Sequence, residues 1–356
     1  MTRPAARALQ RKLLSWYAAS KRDLPWRGAR DPYAIWLSET MLQQTRVETV
    51  IPYYQRFLRE LPTVRELAEA TEERVLSLWS GLGYYRRARM LHAAARRVVR
   101  EHGGRLPASV DDLRRLEGVG AYTAGAVSSI AFGRRAAVVD GNVARVLARL
   151  FAIEEDVKSA RGSARVWALA GDLLPDGEGQ AGDWNQALMD LGATVCVPRE
   201  PRCERCPVEA LCTGRARGLA AGLPRMVRKK APRPVRRVAI VLASRTSVLL
   251  ARRRAGALFG GLWEPPGTDG PLEALAASLG LDVGALERRG ELVHVLSHRR
   301  MQVEVVRGGL GRRRSWPLPG PEYDAVEAVP VSRLARGAHS ALTRKILALA
   351  GVPGGP

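Results

Sequence analysis

The chain has 356 residues, 46% of them hydrophobic, with 57 Lys and Arg against 35 Asp and Glu for a formal charge of +22. That apolar content excludes a wholly disordered polymer, and no apolar run approaches the length needed to span a bilayer. The charge points to a polyanion, whose bound counterions are released by basic side chains so that affinity falls steeply with salt. An arginine-rich solvated surface accounts for the same charge without a partner.

The segment Met1–Gln10 is basic and no apolar stretch follows it, so no secretory leader is expected and the reading is a cytoplasmic protein. Helical apolar spacing then recurs at Leu9–Tyr17, Ile35–Val50, Val75–Trp79, Met90–Val99, Ala124–Phe132 and Val143–Leu150. Residues 1–215 are therefore expected to form a helical region. Residues 216–234, rich in Arg, Lys, Gly and Pro, read as a basic linker. From residue 235 the pattern turns to short apolar or β-branched runs at Val238–Leu242, Val248–Leu250, Leu292–Leu296 and Met301–Val306, with a helix at Leu272–Leu279. The second half, 235–350, is thus α+β, and the tail Gly351–Pro356 is expected to be disordered.

All four cysteines, Cys196, Cys203, Cys206 and Cys212, fall in one stretch with spacing C-x6-C-x2-C-x5-C. Four thiolates from one loop complete the ligand set of a [4Fe-4S] cluster or of a tetrahedral zinc. A chain of this length buries large cores without disulfides, so a metal site is the better reading, and spacing alone leaves both metals open.

Three further features carry chemistry. Leu116-Glu117-Gly118-Val119-Gly120 lies between two helical patterns, a helix-hairpin-helix (about 110–133) whose Gly118 and Gly120 let backbone N–H groups approach a phosphate, or else a plain interhelical turn. Asp140 precedes Gly141, Asn142 and a helix, which suits an N-cap and also keeps a carboxylate ionised for a developing cation. Glu39 follows the helix start Asp31-Pro32 and shares a face with Ile35 and Leu42. Burial on that face raises a carboxyl pKa and makes Glu39 a general acid, whereas a rotated helix leaves it solvated. One carboxyl kept as the acid and one held as an anion suit glycosidic bond hydrolysis.

The stretches Leu24-Pro25-Trp26-Arg27, Asp31-Pro32-Tyr33, Leu37 to Val47, Tyr122 to Ala126 and Val139 to Val143, in this order and with this cysteine spacing, resemble the MutY family of adenine DNA glycosylases. The resemblance covers nearly the whole chain. It implies a mainly α catalytic part, a helix-hairpin-helix six-helix barrel with an iron-sulfur helical domain, followed by a C-terminal α+β Nudix-like domain. It also implies a [4Fe-4S] cluster and, as partner, double-stranded DNA in which adenine opposes 8-oxoguanine or guanine; a monomer associated with the nucleoid is expected. The adenine is flipped out before its N-glycosidic bond is cut.

By the same resemblance Glu39 matches the acid that protonates adenine, and Asp140 the carboxylate that stabilises or captures the sugar cation. Tyr122 and Asn142 match residues beside that sugar, Arg27 and Gln186 line the adenine pocket, and Gln44 and Tyr84 enter or press the base stack. Related endonuclease III-like enzymes hold a lysine at the place of Tyr122 for Schiff-base chemistry, so a monofunctional glycosylase is expected. A bifunctional lyase or a noncatalytic iron-sulfur DNA-binding protein are the alternatives. In the second half, Leu258 to Gly267 and His294 to His298 resemble the Nudix-like domain that senses 8-oxoguanine. Ser297 and His298 match the end of its Phe-Ser-His loop, and Leu296 departs from the phenylalanine, with loss of aromatic stacking. The helix Leu272–Leu279 has only Glu273, so pyrophosphate hydrolysis is not expected.

Overall fold

The computed structural model describes residues 2–177, 179–226, 231–311, 313 and 315–353. It divides into two compact units, Met1–Glu69 with Met90–Arg228, and Ala70–Arg89 with Lys229–Pro356.

The helices of the first half are α1 (Arg3–Ser20), α2 (Pro32–Leu42), α3 (Val47–Glu60), α4 (Val64–Glu69), α5 (Glu72–Trp79), α6 (Arg86–His102), α7 (Val110–Arg114), α8 (Ala121–Ile130), α9 (Gly141–Leu150), α10 (Ala160–Asp172), α11 (Gln180–Thr194) and α12 (Thr213–Ala216). In the first unit Leu9, Leu13 and Tyr17 of α1, Val143, Val146 and Leu147 of α9, Val166 of α10 and Trp184, Leu188 and Leu191 of α11 form one buried cluster. Each such side chain removed from water stabilises the fold by roughly 1.5–3 kcal/mol.

The continuous apolar pattern Ile35–Val50 is two helices. Asp31 caps α2 by accepting from Tyr33 N at 3.1 Å with Pro32 at the first position, and the helix stops at Leu42 because Gln44 turns to a φ of 58°. Both helices bury apolar residues, so the spacing runs across a break that neither Gly nor Pro marks. The helix-hairpin-helix consists of α7, capped by Ser109, the turn, and α8. Gly118 there has a φ of +76°, and a Cβ on it would lie 2.8 Å from Met90 Cβ.

Residues 216–234 are not a uniform linker. Ala220 and Leu223 are buried, and Arg149 Nε donates to the Leu223 carbonyl at 2.8 Å. The Arg and Gly content hides these two anchoring side chains; residues 227–230 lie outside the described residues.

The second unit is built on a mixed sheet of order β3-β2-β1-β6-β5, with β1 Arg233–Ala243, β2 Ser247–Arg253, β3 Trp263–Glu264, β5 Glu287–Val295 and β6 Arg299–Gly309. The short β4 (Gly267–Thr268) pairs with β1, and β7 (Tyr323–Pro330) with β2. The pair β1·β6 is parallel and the others antiparallel. Val241, Val303 and Val305 meet Leu342, Ile346 and Leu347 of α14 (Ala341–Leu349). Ile240 and Leu242, alternate in register, meet Leu275 and Leu279 at α13 (Leu272–Ser278). One helix therefore covers each side of the sheet. Segment 70–89 joins this unit, Ser80 Oγ and the Tyr85 hydroxyl both donating to the His339 carbonyl at 2.8 and 2.9 Å. The expected disorder at Gly351–Pro356 does not hold at its start: Val352 is buried and its N–H meets the Leu347 carbonyl at 3.0 Å. Residues 354–356 lie outside the described residues.

Gly118→Ala is expected to lower the unfolding free energy by about 1–3 kcal/mol, because the residue is forced to a positive φ and its Cβ overpacks on Met90. Urea unfolding of the two proteins checks this, and an unchanged midpoint contradicts it.

Candidate active site

Four elements and one loop of the first unit converge. Helix α2 brings Glu39, α8 brings Tyr122 from its first turn, α9 brings Asp140 as its N-cap with Asn142, and α11 brings Gln186, Met189 and Asp190. The turn Leu24–Arg27, closed by Arg27 N donating to the Leu24 carbonyl at 2.8 Å, supplies Arg27. Trp26 anchors that turn edge-on against Tyr54, their rings 5.3 Å apart.

The Tyr122 hydroxyl donates to Glu39 Oε2 and lies 3.7 Å from Met189 Sδ. Glu39 is 5% exposed. Burial pushes its pKa above the usual carboxylate value and the Asp140 charge adds to this, against the Tyr122 hydrogen bond and the Arg27 charge. Burial raises the Tyr122 phenol as well, so it remains a neutral donor.

Asp140 accepts from Val143 N at 2.7 Å and from Asn142 Nδ2 at 3.0 Å. The cap alone predicts an easily ionised carboxyl. Burial outweighs it and raises the pKa, while those donors favour the anion. Asn142 in turn accepts from Arg145 Nη2 at 2.8 Å. Gly192 of α11 makes this packing possible, since a Cβ there would fall 2.6 Å from Asn142 Cβ. Arg27 donates through Nη1 to Gln186 Oε1 and through Nη2 to Asp190 Oδ1 at 2.7 Å.

Cys196, Cys203, Cys206 and Cys212 line one cavity with Arg149, Val146 and Leu191. The four thiols stand around the cavity: among the described residues, no three His, Cys, Asp or Glu side chains converge as ligands of one ion do. Burial raises the thiols of Cys203 and Cys212, and that of Cys206 to about 11. Their loop is stapled to α9. Arg145 Nε donates to the Cys196 carbonyl at 2.8 Å, and Arg149 donates to the carbonyls of Val197 and Pro198 at 2.7 and 2.9 Å.

A family model described as HhH-GPD superfamily base excision DNA repair protein matches residues 37–168, and a NUDIX domain model matches 237–349. The adenine DNA glycosylase of Homo sapiens is 52% identical over 219 residues, 59% of this chain and 40% of that protein. That of Rattus norvegicus is 50% identical over 229 residues, 61% and 44% of the respective chains. The chain thus spans less than half the length of these relatives. A solved thermostable thymine-DNA glycosylase superposes with a TM-score of 0.55 at 32% identity, over 60% of this chain and 98% of that one. The chain belongs to the adenine DNA glycosylase (MutY) family of the HhH-GPD superfamily. Its fold is a helical HhH-GPD region followed by a mixed α/β Nudix domain.

The remaining sequence-derived residues of this MutY-family chain lie elsewhere. Gln44 occupies the turn after α2, five residues beyond Glu39. Gly118 and Gly120 sit in the hairpin before α8. Tyr84, with a φ of 49° and 46% exposed, belongs to the second unit. Leu296, Ser297 and His298 form the turn between β5 and β6, closed by Leu296 N on the Arg299 carbonyl at 2.8 Å, with Ser297 and His298 exposed. Met189, Asp190 and Arg145 escaped sequence reasoning. Met189 and Asp190 were open to it through α11, because Asp190 follows Gln186 by four residues and shares its face.

Glu39→Gln tests the buried acid through stability. With its folded pKa above the unfolded one, Glu39 contributes most below the unfolded value and loses that contribution as pH rises through the folded value. Gln cannot titrate. The stability of the variant relative to the wild type is therefore expected to rise with pH over that window in urea unfolding, and a pH-independent difference contradicts the burial argument.

Proposed function

We propose that this chain is a monofunctional glycosylase that hydrolyses the N-glycosidic bond of adenine opposite 8-oxoguanine or guanine in duplex DNA. The observation that carries the reading is the buried Glu39, held by Tyr122 OH in reach of the Asp140 charge. Its raised pKa makes Glu39 a proton donor to the flipped adenine, which leaves as a neutral base. Asp140, supported by Val143 N and Asn142, stabilises or captures the sugar cation that bond cleavage develops. Arg27 and Gln186 meet the base. Gln44 and Tyr84 enter or press the base stack, and the backbone of the Gly118–Gly120 turn meets phosphate.

Tyr122 carries a phenol where a lyase needs an amine, and its hydroxyl is engaged with Glu39, so strand cleavage through a Schiff base has no nucleophile at this position. The turn Leu296-Ser297-His298, with Ser297 and His298 exposed, meets the 8-oxoguanine. With leucine in place of an aromatic, hydrogen bonding by Ser297 and His298 bears most of the discrimination.

The four cysteines that line one cavity suit a [4Fe-4S] cluster, which is held by four thiolates. Held by Cys196, Cys203, Cys206 and Cys212, it supplies a cross-link for the loop, and four thiolates leave no open coordination position for hydrolysis. Arg199, Arg202 and Arg205 of that loop then face DNA phosphates.

Single-turnover assays on adenine opposite 8-oxoguanine are expected to release free adenine and leave an alkali-labile site. No release sinks the proposal, and a high-yield borohydride-trapped adduct favours the lyase. Glu39→Gln and Asp140→Asn should bind the duplex but release base at least about a hundredfold more slowly. Ser297→Ala should narrow the ratio of rates opposite 8-oxoguanine and guanine; an unchanged ratio removes Ser297 from lesion sensing. Chelation of the iron should abolish DNA affinity as well as the visible absorption, and retained affinity would separate the cluster from DNA binding.

A further inference from the structure

Asp190 is 1% exposed and lies one turn along α11 from Gln186. Its Oδ1 accepts from Arg22 Nε at 2.9 Å, Arg22 Nη2 at 2.6 Å and Arg27 Nη2 at 2.7 Å. The other terminal nitrogen of Arg27 donates to Gln186 Oε1 and to the Tyr17 hydroxyl, the latter at 3.0 Å. A guanidinium has donors and no acceptor, so the oxygen of the Gln186 amide must be the atom facing it and the NH2 group must face away.

Resting on the adenine-pocket reading above, we infer that Asp190 is a positioning residue that fixes the Arg27 fork and, through it, turns the Gln186 amide so that NH2 donors meet the acceptor edge of the base. The geometry separates this from an ion pair that only holds the fold. A planar fork with one arm on Asp190 has no remaining freedom about its long axis, so its second arm points where the carboxylate sends it. That arm ends on a pocket side chain. Arg27 Nε is also buried without a hydrogen-bond partner, so the fork is held by its two terminal nitrogens. Arg22, 30% exposed, closes the outer side of Asp190 and keeps the carboxylate from swinging to water. Tyr17, whose phenol burial raises to about 12, stays a neutral neighbour that cannot replace Asp190 as the counter-charge of Arg27.

The test is a double-mutant cycle in the full chain, reading single-turnover adenine release from duplex with adenine opposite 8-oxoguanine. Asp190→Asn keeps the shape and loses the charge, and is expected to slow release roughly tenfold to a hundredfold, the scale of a misplaced binding group. Because Asp190 acts through Gln186, adding Asp190→Asn to Gln186→Ala should cost little more than Gln186→Ala alone. Fully additive losses, as a purely structural ion pair would give, overturn the inference. Should Asp190→Asn not fold, Arg27→Lys carries the same cycle, since one ammonium keeps the charge but cannot span Asp190 and Gln186 together; a wild-type rate for it also overturns the inference. A wild-type chain that releases no adenine removes the activity reading itself, whereas release with an additive cycle removes only the role of Asp190.

Discussion

Desolvation of one carboxyl is the constraint from which the helical unit takes its form. A carboxyl holds its proton beyond the usual carboxylate range only where water is excluded and no cation stands free beside it. Helix α2 meets the first demand by being buried on every side from Tyr33 to Met41. The second demand is harder, because Arg27 is close enough for its charge to pull the Glu39 pKa down. Asp190 pairs with that guanidinium at 2.7 Å, so the cation is committed before it reaches Glu39. The hydrogen bond from Tyr122 to the acid comes from a group that burial keeps neutral.

The second carboxyl is built by different means. Asp140 belongs to α9, and α9 is fastened on both sides of its N-terminus through arginines on its own inner face. Arg145 joins Asn142 to the carbonyls of Gly192 and Cys196. Arg149, 1% exposed, grips the loop carbonyls at 197 and 198 and the Leu223 carbonyl beyond α12. The cysteine loop and α9 are therefore one mechanical piece. Whatever stiffens the loop stiffens the frame around Asp140.

Much of this was legible in the sequence where the signal was local. The Asp31-Pro32 start of α2, the Asp140 cap of α9 and the four cysteines are all stated within a few residues. The choice between a buried and a solvated Glu39 was not, since i, i+4 spacing assumes a helix with a wet face and α2 has none. The place of Asp190 beside Gln186 follows from α11, but its ion pairs were illegible because its partners Arg22 and Arg27 lie 168 and 163 residues away. In the second unit β3 and β4 are two residues each, too short for periodicity, and β7 mixes Glu327 and Asp324 among its valines. Helix α14 had a readable signal: Ser340 as cap, accepting from Thr343 N, and Leu342, Ile346 and Leu349 at helical spacing.

The charge of +22 also changes meaning once arginines are located. Composition treats every arginine as a surface cation available to a polyanion, yet several here face inward. Arg27, Arg145 and Arg149 satisfy carboxylate, amide and carbonyl oxygens inside the helical unit. Arg237 and Arg253 do so in the sheet, where both meet Glu264 Oε1 at 2.9 and 2.7 Å with the Tyr323 hydroxyl at 2.8 Å. A side chain with five donors and a fixed plane suits this work, because it ties several backbone or carboxylate oxygens at once where lysine would reach one. Net charge is thus a fair guide to the sign of the partner and a poor guide to where it binds. The binding face must be sought among the arginines that have no internal oxygen to hold.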